Sequence, residues 1–212
     1  MEKQKIRFNR RIYYLLKNIL EYTLSLILVV FFAPVMILSM VAVKLYDRGP
    51  VIYKQKRIGK NKNAFTLYKL RTMVPDADSK KKLLQHLNEA GPPIFKIRND
   101  PRVTPVGKIL RKLSIDELPQ LFNVLNGDMY LIGPRPQLPE EVAQYENKRP
   151  YLRRFSVEPG VVCLAQVEGR SLLPFHKWMV LDRLYVAKRS LSLDMYILYR
   201  AILAIITRKG AY

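Results

Sequence analysis

Residues 22–43 contain no Asp, Glu, Lys or Arg, and no other stretch of the chain restricts its folding as much. As a helix, such a run can cross a bilayer core, which takes about 20 residues. It is too long for a typical signal-peptide core, and no small-residue cleavage site follows it. Basic residues crowd both sides, with Lys3, Lys5, Arg7, Arg10, Arg11 and Lys17 before it and Lys44, Arg48, Lys54, Lys56, Arg57, Lys60 and Lys62 after it. Cytoplasmic segments collect Lys and Arg, so both flanks ask for the same side of a membrane. Pro34 sits near the middle of the run and removes one helical hydrogen bond. A re-entrant helix bent at Ala33-Pro34 satisfies both flanks. A spanning helix with a tolerated proline is the alternative.

These features divide the chain into a basic, membrane-associated segment over residues 1–46 and a globular domain over residues 47–212. A length of 212 residues suffices for one ordinary domain and an appendage. The net charge of +20 calls for an anionic partner, and nucleic acid, anionic lipid and phosphorylated small molecules all qualify. Cys163 is the single cysteine, which excludes a disulfide within the chain. His86 and His176 lie far apart with no Cys or acid at ligand spacing, an arrangement that argues against zinc.

Residues 51–55 and 65–71 read as short strands around a polar turn at 57–63. In the second strand Phe65, Leu67, Lys69 and Arg71 share a face, so two cations end up side by side, either as a solvated edge or as phosphate contacts. Asp76 is placed to cap a helix through residue 90, with Leu83, Leu84 and Leu87 inward. An apolar strand at 129–132 runs into Gly133-Pro134-Arg135-Pro136-Gln137. The two prolines stiffen the backbone around Arg135 and suit it to forking onto phosphate oxygens. Helical signals cover 139–147, 174–187 with Asp182, and 191–207. The last helix is too short to span and belongs in the core or at a bilayer interface. The fold class expected is α+β and mainly helical, with short strands and interfacial helices in a domain on the cytoplasmic face.

Chemistry concentrates in residues 100–136. Thr104 and Pro105 open a short helix bearing Lys108, Arg111 and Lys112. Ser114 and Glu117 have capping-box spacing, which predicts a second helix whose first turn carries Asp116 and Glu117. Leu118, Leu121, Phe122 and Leu125 give that helix a buried stripe, and Asn126-Gly127 ends it. Two readings stay open. Glu117 completes a cap while Asp116 complements the helix dipole, or the dipole and Arg111 keep Asp116 ionised as a carboxylate nucleophile or metal ligand.

Taken in order, DRGPVIYKQKRIGKNKNAFTLYKLRTM from Asp47, the stretch 100–136, GPRPQLPEE from Gly133, VEPG with AQVEGR, and SLSLDMYIL with a terminal GAY cover nearly everything after residue 46. In this pattern the chain closely resembles the bacterial sugar transferase family, the small monotopic phosphoglycosyl transferases. Pro34 matches the proline at the bend of the family's re-entrant membrane helix. The resemblance implies transfer of a sugar-1-phosphate from a UDP-sugar to polyprenyl phosphate, with release of UMP, at the bacterial inner membrane. It implies Mg²⁺ as the metal, Asp116 as the nucleophile that forms an aspartyl-phosphosugar, and Glu117 as its dyad partner. Lys69, Arg71, Arg111, Arg135, Gln137 and Arg170 are then expected around the donor, with Asp116 and Asp182 toward the metal. The resemblance also implies a minimal form, without the spanning helices of larger members. Cys163-Leu164 and Glu168 depart from the family's frequent Gly-Trp and Asn at those positions. Cys163 is assigned to packing.

The rival reading is a non-catalytic, membrane-anchored basic module for anionic lipid or nucleic acid. Charge attraction alone does not require the ordered acidic, proline and glycine motifs, so no nucleic-acid partner is expected.

Overall fold

The apolar run lies within one long helix, α1 (Glu2–Asp47), in the computed structural model, which describes residues 2–169 and 173–207. Secondary structure continues through Pro34. A proline deletes one ladder bond and leaves the turns on either side paired. Lys17, Glu21 and Ser25 are buried, as are Met36, Ser39 and Val43, whereas Leu26, Phe31, Leu38 and Leu45 are largely exposed. The helix therefore turns one stripe toward protein and leaves a bare apolar face.

Both flanks of the run are tied to the rest of the chain. Before it, Lys17 Nζ donates to Asp194 Oδ2 at 2.8 Å and to the Ile132 carbonyl at 3.1 Å. The Glu21 carboxylate accepts from the backbone N–H groups of Leu131 and Ile132. One Lys–Glu pair, joined by the Tyr185 hydroxyl on the Ile132 carbonyl at 3.0 Å, thus satisfies a buried strand edge. After the run, Arg71 Nη1 donates to Asp47 Oδ2 at 2.8 Å.

Strands β1 (Ile52–Ile58) and β2 (Ala64–Leu70) pair antiparallel in the register Ile52↔Leu70 to Ile58↔Ala64. The helix expected from Asp76 to residue 90 does not form. Only α2 (Ala77–Lys80) and a 3-10 turn at Gln85–Leu87 are present. Leu83 and Leu87 are exposed, so the segment has no packed apolar face to offset the cost of a longer helix. Asp76 pairs with Lys80 at 2.7 Å instead of capping.

Next come α3 (Pro105–Lys112), α4 (Gln120–Leu125), β3 (Tyr130–Ile132), α5 (Pro139–Ala143) and α6 (Arg149–Leu152). Strand β4 (Gly160–Val162), α7 (Leu164–Glu168), α8 (Phe175–Lys188) and α9 (Leu191–Thr207) complete the described chain. β3 and β4 pair in parallel. A Cβ on Gly160 would stand 2.0 Å from the Gly133 nitrogen, so this junction requires glycine.

The main core gathers Leu67 of β2, Leu121 and Val124 of α4, Leu131 and Ile132 of β3, Tyr185 of α8 and Ile197 of α9. Phe122 does not join the expected stripe and is 41% exposed. Asn123 takes the inward position, holding Tyr68 N at 3.0 Å and the Thr66 carbonyl at 2.7 Å, so polar bonds as well as apolar contacts dock α4 on β2.

Candidate active site

Thr104 caps α3 as its sequence implies, accepting from Gly107 N at 2.9 Å. Gly107 presses on Thr72, whose carbonyl oxygen would lie 2.0 Å from an added Cβ. Arg111 Nε then reaches Thr72 Oγ1 at 2.9 Å. α3 gives way to Ser114 at φ 56, a left-handed residue with no side-chain cap, and to a single 3-10 turn, Ile115–Glu117. The capping box expected from Ser114 and Glu117 is therefore absent. Ser114 has the wrong backbone geometry to cap, and Glu117 is held by other groups. Because α4 begins only at Gln120, the dipole expected beneath Asp116 is reduced to one short turn, and positive charge comes from side chains instead.

Lys69 Nζ stands 2.6 Å from Glu117 Oε1, and Arg135 Nη2 approaches the same oxygen at 3.5 Å. Burial alone raises the Glu117 carboxyl, but these two cations outweigh it and hold it down at about 2. Asp116 is also buried, and its carboxyl has no ion pair among the described residues. Burial raises its pKa above the ordinary 3.8, Lys69 and Arg111 oppose that rise, and Glu117 adds to it. The expectation that Arg111 and a dipole hold this group down is thus corrected, because desolvation dominates.

The two acids line a cleft of about 2600 Å³, together with Lys69, Arg111 and Arg135. Arg71 and Gln137 border it too but are engaged elsewhere, Arg71 with Asp47 and Gln137 as acceptor from the Tyr145 hydroxyl. Asp182 lies back from the cleft in the interior, 3.2 Å from Arg154 Nη2. Arg170 lies outside the described residues.

Two arginines that the sequence reading left unassigned hold the Arg135 loop. Arg57 Nη1 donates to the Pro136 carbonyl at 3.2 Å, and Arg154 Nη2 donates to the Arg135 carbonyl. Arg57 is held to about 10, chiefly by burial and then by Arg135. Both stand in basic pairs, Lys56-Arg57 and Arg153-Arg154, which resemble solvated charge; only their position opposite a proline-rich loop hints at more. Cys163 is buried and pushed up to about 12 by burial, so it is a packing residue and not a nucleophile.

No group of three or more His, Cys, Asp or Glu is placed to bind a metal among the described residues. Magnesium needs no such cage, since it binds through one or two carboxylates with waters and substrate phosphates. An Asp116 without an ion pair among the described residues, lining a cationic cleft, fits that mode.

The sequence profile of the bacterial sugar transferases matches residues 12–208. The chain belongs to this family. Among relatives of this bacterial sugar transferase, the exopolysaccharide production protein ExoY of Rhizobium meliloti is 36% identical over 202 residues, covering 92% of this chain and 86% of that one. The UDP-glucose:undecaprenyl-phosphate glucose-1-phosphate transferase of Caulobacter vibrioides is 37% identical over 203 residues, covering 92% and 72%. The undecaprenyl-phosphate galactose phosphotransferase of Salmonella typhimurium is 37% identical over 205 residues, covering 93% of this chain and 42% of its own length. The family member described here thus spans most of some relatives and less than half of others.

Proposed function

We propose that this protein is a phosphoglycosyl transferase that moves a sugar-1-phosphate from a UDP-sugar to polyprenyl phosphate. The observation that carries the reading is the division of labour between neighbouring acids: Glu117 is committed to Lys69 and Arg135, while Asp116 stands unpaired in the same cleft. An Asp116 oxygen attacks the β-phosphorus of the donor, the bond to the UMP oxygen breaks, and UMP departs with that electron pair, leaving an aspartyl-phosphosugar. An oxygen of polyprenyl phosphate then attacks the same phosphorus and restores the Asp116 carboxylate. Lys69, Arg111 and Arg135 stabilise the charge on the transferring group. Mg²⁺ bound to Asp116 and to substrate phosphates would offset the repulsion between the carboxylate and the diphosphate. Names of the relatives from Caulobacter and Salmonella support the reaction class. Incubation with a panel of UDP-sugars, polyprenyl phosphate and Mg²⁺ is expected to release UMP from at least one donor. No release from any donor would remove the reading.

The same proposal places the protein on the cytoplasmic face of the inner membrane, with α1 bending at Pro34 inside its continuous helix so that it is re-entrant, and with its basic flanks on anionic lipid. Support comes from the two flanks, which dock on one domain through Lys17 and Asp47. A spanning helix would separate them by a hydrocarbon core of about 30 Å. A Lys3→Cys variant in sealed vesicles is expected to resist labelling from the periplasmic side, and labelling from that side would refute re-entrance. The native Cys163 is buried and does not interfere.

A further inference from the structure

The loop that carries Arg135 is fastened at four consecutive carbonyl groups, each by a donor from a distant part of the chain. Gly160 N donates to the Pro134 carbonyl at 2.9 Å, and Arg154 Nη2 donates to that of Arg135. Arg57 Nη1 donates to the Pro136 carbonyl at 3.2 Å, and Ile58 N donates to that of Gln137 at 2.9 Å. The last two donors sit at the end of β1, whose partner strand β2 carries Lys69. One hairpin therefore governs both cations on Glu117, Lys69 directly from β2 and Arg135 through the loop hung on β1. Arg57 is itself held, with Nη2 donating to Gln55 Oε1 at 2.7 Å and Glu141 Oε2 standing 3.9 Å from Nη1.

We propose that Arg57 is a positioning residue that aims Arg135 at the diphosphate of the donor. The inference rests on the reaction proposed above and adds what sets the place of this cation in it. Pro134 and Pro136 fix their own φ angles but not the approach of the loop to the cleft, which is left to the bonds on its carbonyls. At 3.5 Å the contact between Arg135 and Glu117 is too long to hold the guanidinium by itself. Attraction between the arginines does not place Arg57 here, because the charge of Arg135 opposes its own. Its donors go to the loop backbone and to Gln55 instead. A guanidinium that forks onto phosphate oxygens needs a fixed orientation, and a small displacement of such a group is costly.

The test measures by calorimetry the affinity of the full chain in detergent for UDP, which carries the diphosphate but no sugar to transfer. Arg57→Gln is expected to raise the Kd by about tenfold, and Arg135→Ala to raise it by at least as much. The two together should raise it no further than Arg135→Ala alone, because Arg57 acts only through Arg135. Arg57→Lys, which still has a donor for the Pro136 carbonyl, should recover part of the loss, and it carries the same comparison if thermal melting shows the Gln variant unfolded. Losses that multiply to about a hundredfold in the double variant would mean that Arg57 acts on the ligand itself or on the fold at large, and would overturn the inference. An unchanged Kd in Arg57→Gln, or no binding of UDP by the unaltered protein, would overturn it too. UMP release from UDP-sugars by the unaltered protein reports the reaction separately. Coupled losses without that release would uphold the role of Arg57 and count against the transferase reading.

Discussion

Asp116→Asn is expected to lower UMP release by at least about 10³-fold while leaving the fold intact. The amide keeps the shape of the carboxylate but has no anionic oxygen with which to attack phosphorus. Asp116 makes no ion pair among the described residues, so the substitution strands no opposite charge. Its folded pKa is raised, chiefly by burial. Folding therefore disfavours the ionised form, and neutralising the side chain removes a cost at neutral pH. The same shift predicts the pH profile. The proposed attack requires the ionised form, so the acid limb of kcat/KM should lie above the ordinary carboxylate value of 3.8. Lys69 lowers the Asp116 pKa, so Lys69→Met should move that limb higher still. Thermal melting of the Asn variant, read beside its UMP release, distinguishes loss of chemistry from loss of fold.

Arg154→Ala is expected to cost about 3–5 kcal/mol of stability, the usual consequence of leaving a buried charge without its partner. The side chains of Arg154 and Asp182 are 2% and 1% exposed, and both Asp182 oxygens lack a hydrogen bond. Burial raises Asp182 to about 6 even with Arg154 opposing that rise, and removing the arginine raises it further. An acid whose folded pKa lies above its unfolded value destabilises the fold increasingly as pH rises through that interval. The deficit should therefore be larger at pH 8 than at pH 5, as denaturant melts at the two values would show. Arg154→Met combined with Asp182→Leu should recover most of the stability, because apolar replacement of a buried pair is often neutral or better. That double variant should still turn over poorly, since the Arg135 carbonyl has lost the donor that holds its loop. Full activity in it would separate Arg154 from the Arg135 loop.

Features set by neighbours in sequence are legible in the sequence itself. Thr104-Pro105 begins α3, Gly127 at φ 81 follows the end of α4, and β3 runs into the proline-framed Arg135. Each depends on a few adjacent residues with fixed conformational preferences. Ser114 and Glu117 misled because their spacing is local while their partners are not. Glu117 is taken by Lys69, 48 residues away, and Ser114 is left-handed between α3 and the turn carrying the acids. The helix expected from Asp76 failed for a related reason, since Leu83 and Leu87 found no surface to cover. Lys17 reads in the sequence as one of the basic flank charges, and nothing there singles out Glu21. Their role on the edge of β3 joins parts of the chain more than 100 residues apart, as the separations of 115 and 110 residues show. Arg57 and Arg154 were hidden in the same way, each holding a carbonyl of a distant loop. In the site, then, the residue types were readable, whereas the assignment of Glu117 to two cations and of Asp116 to none required the fold.

In the proposed mechanism Asp116 becomes covalently bonded to the phosphosugar. The most direct measurement of that bond is mass spectrometry of the protein after incubation with UDP-sugar and Mg²⁺ in the absence of acceptor. UMP is expected in an amount matching the enzyme, with a mass increase of one phosphosugar on the peptide containing Asp116. Unmodified protein, with UMP appearing only once polyprenyl phosphate is added, would contradict that mechanism and indicate direct transfer between the two substrates.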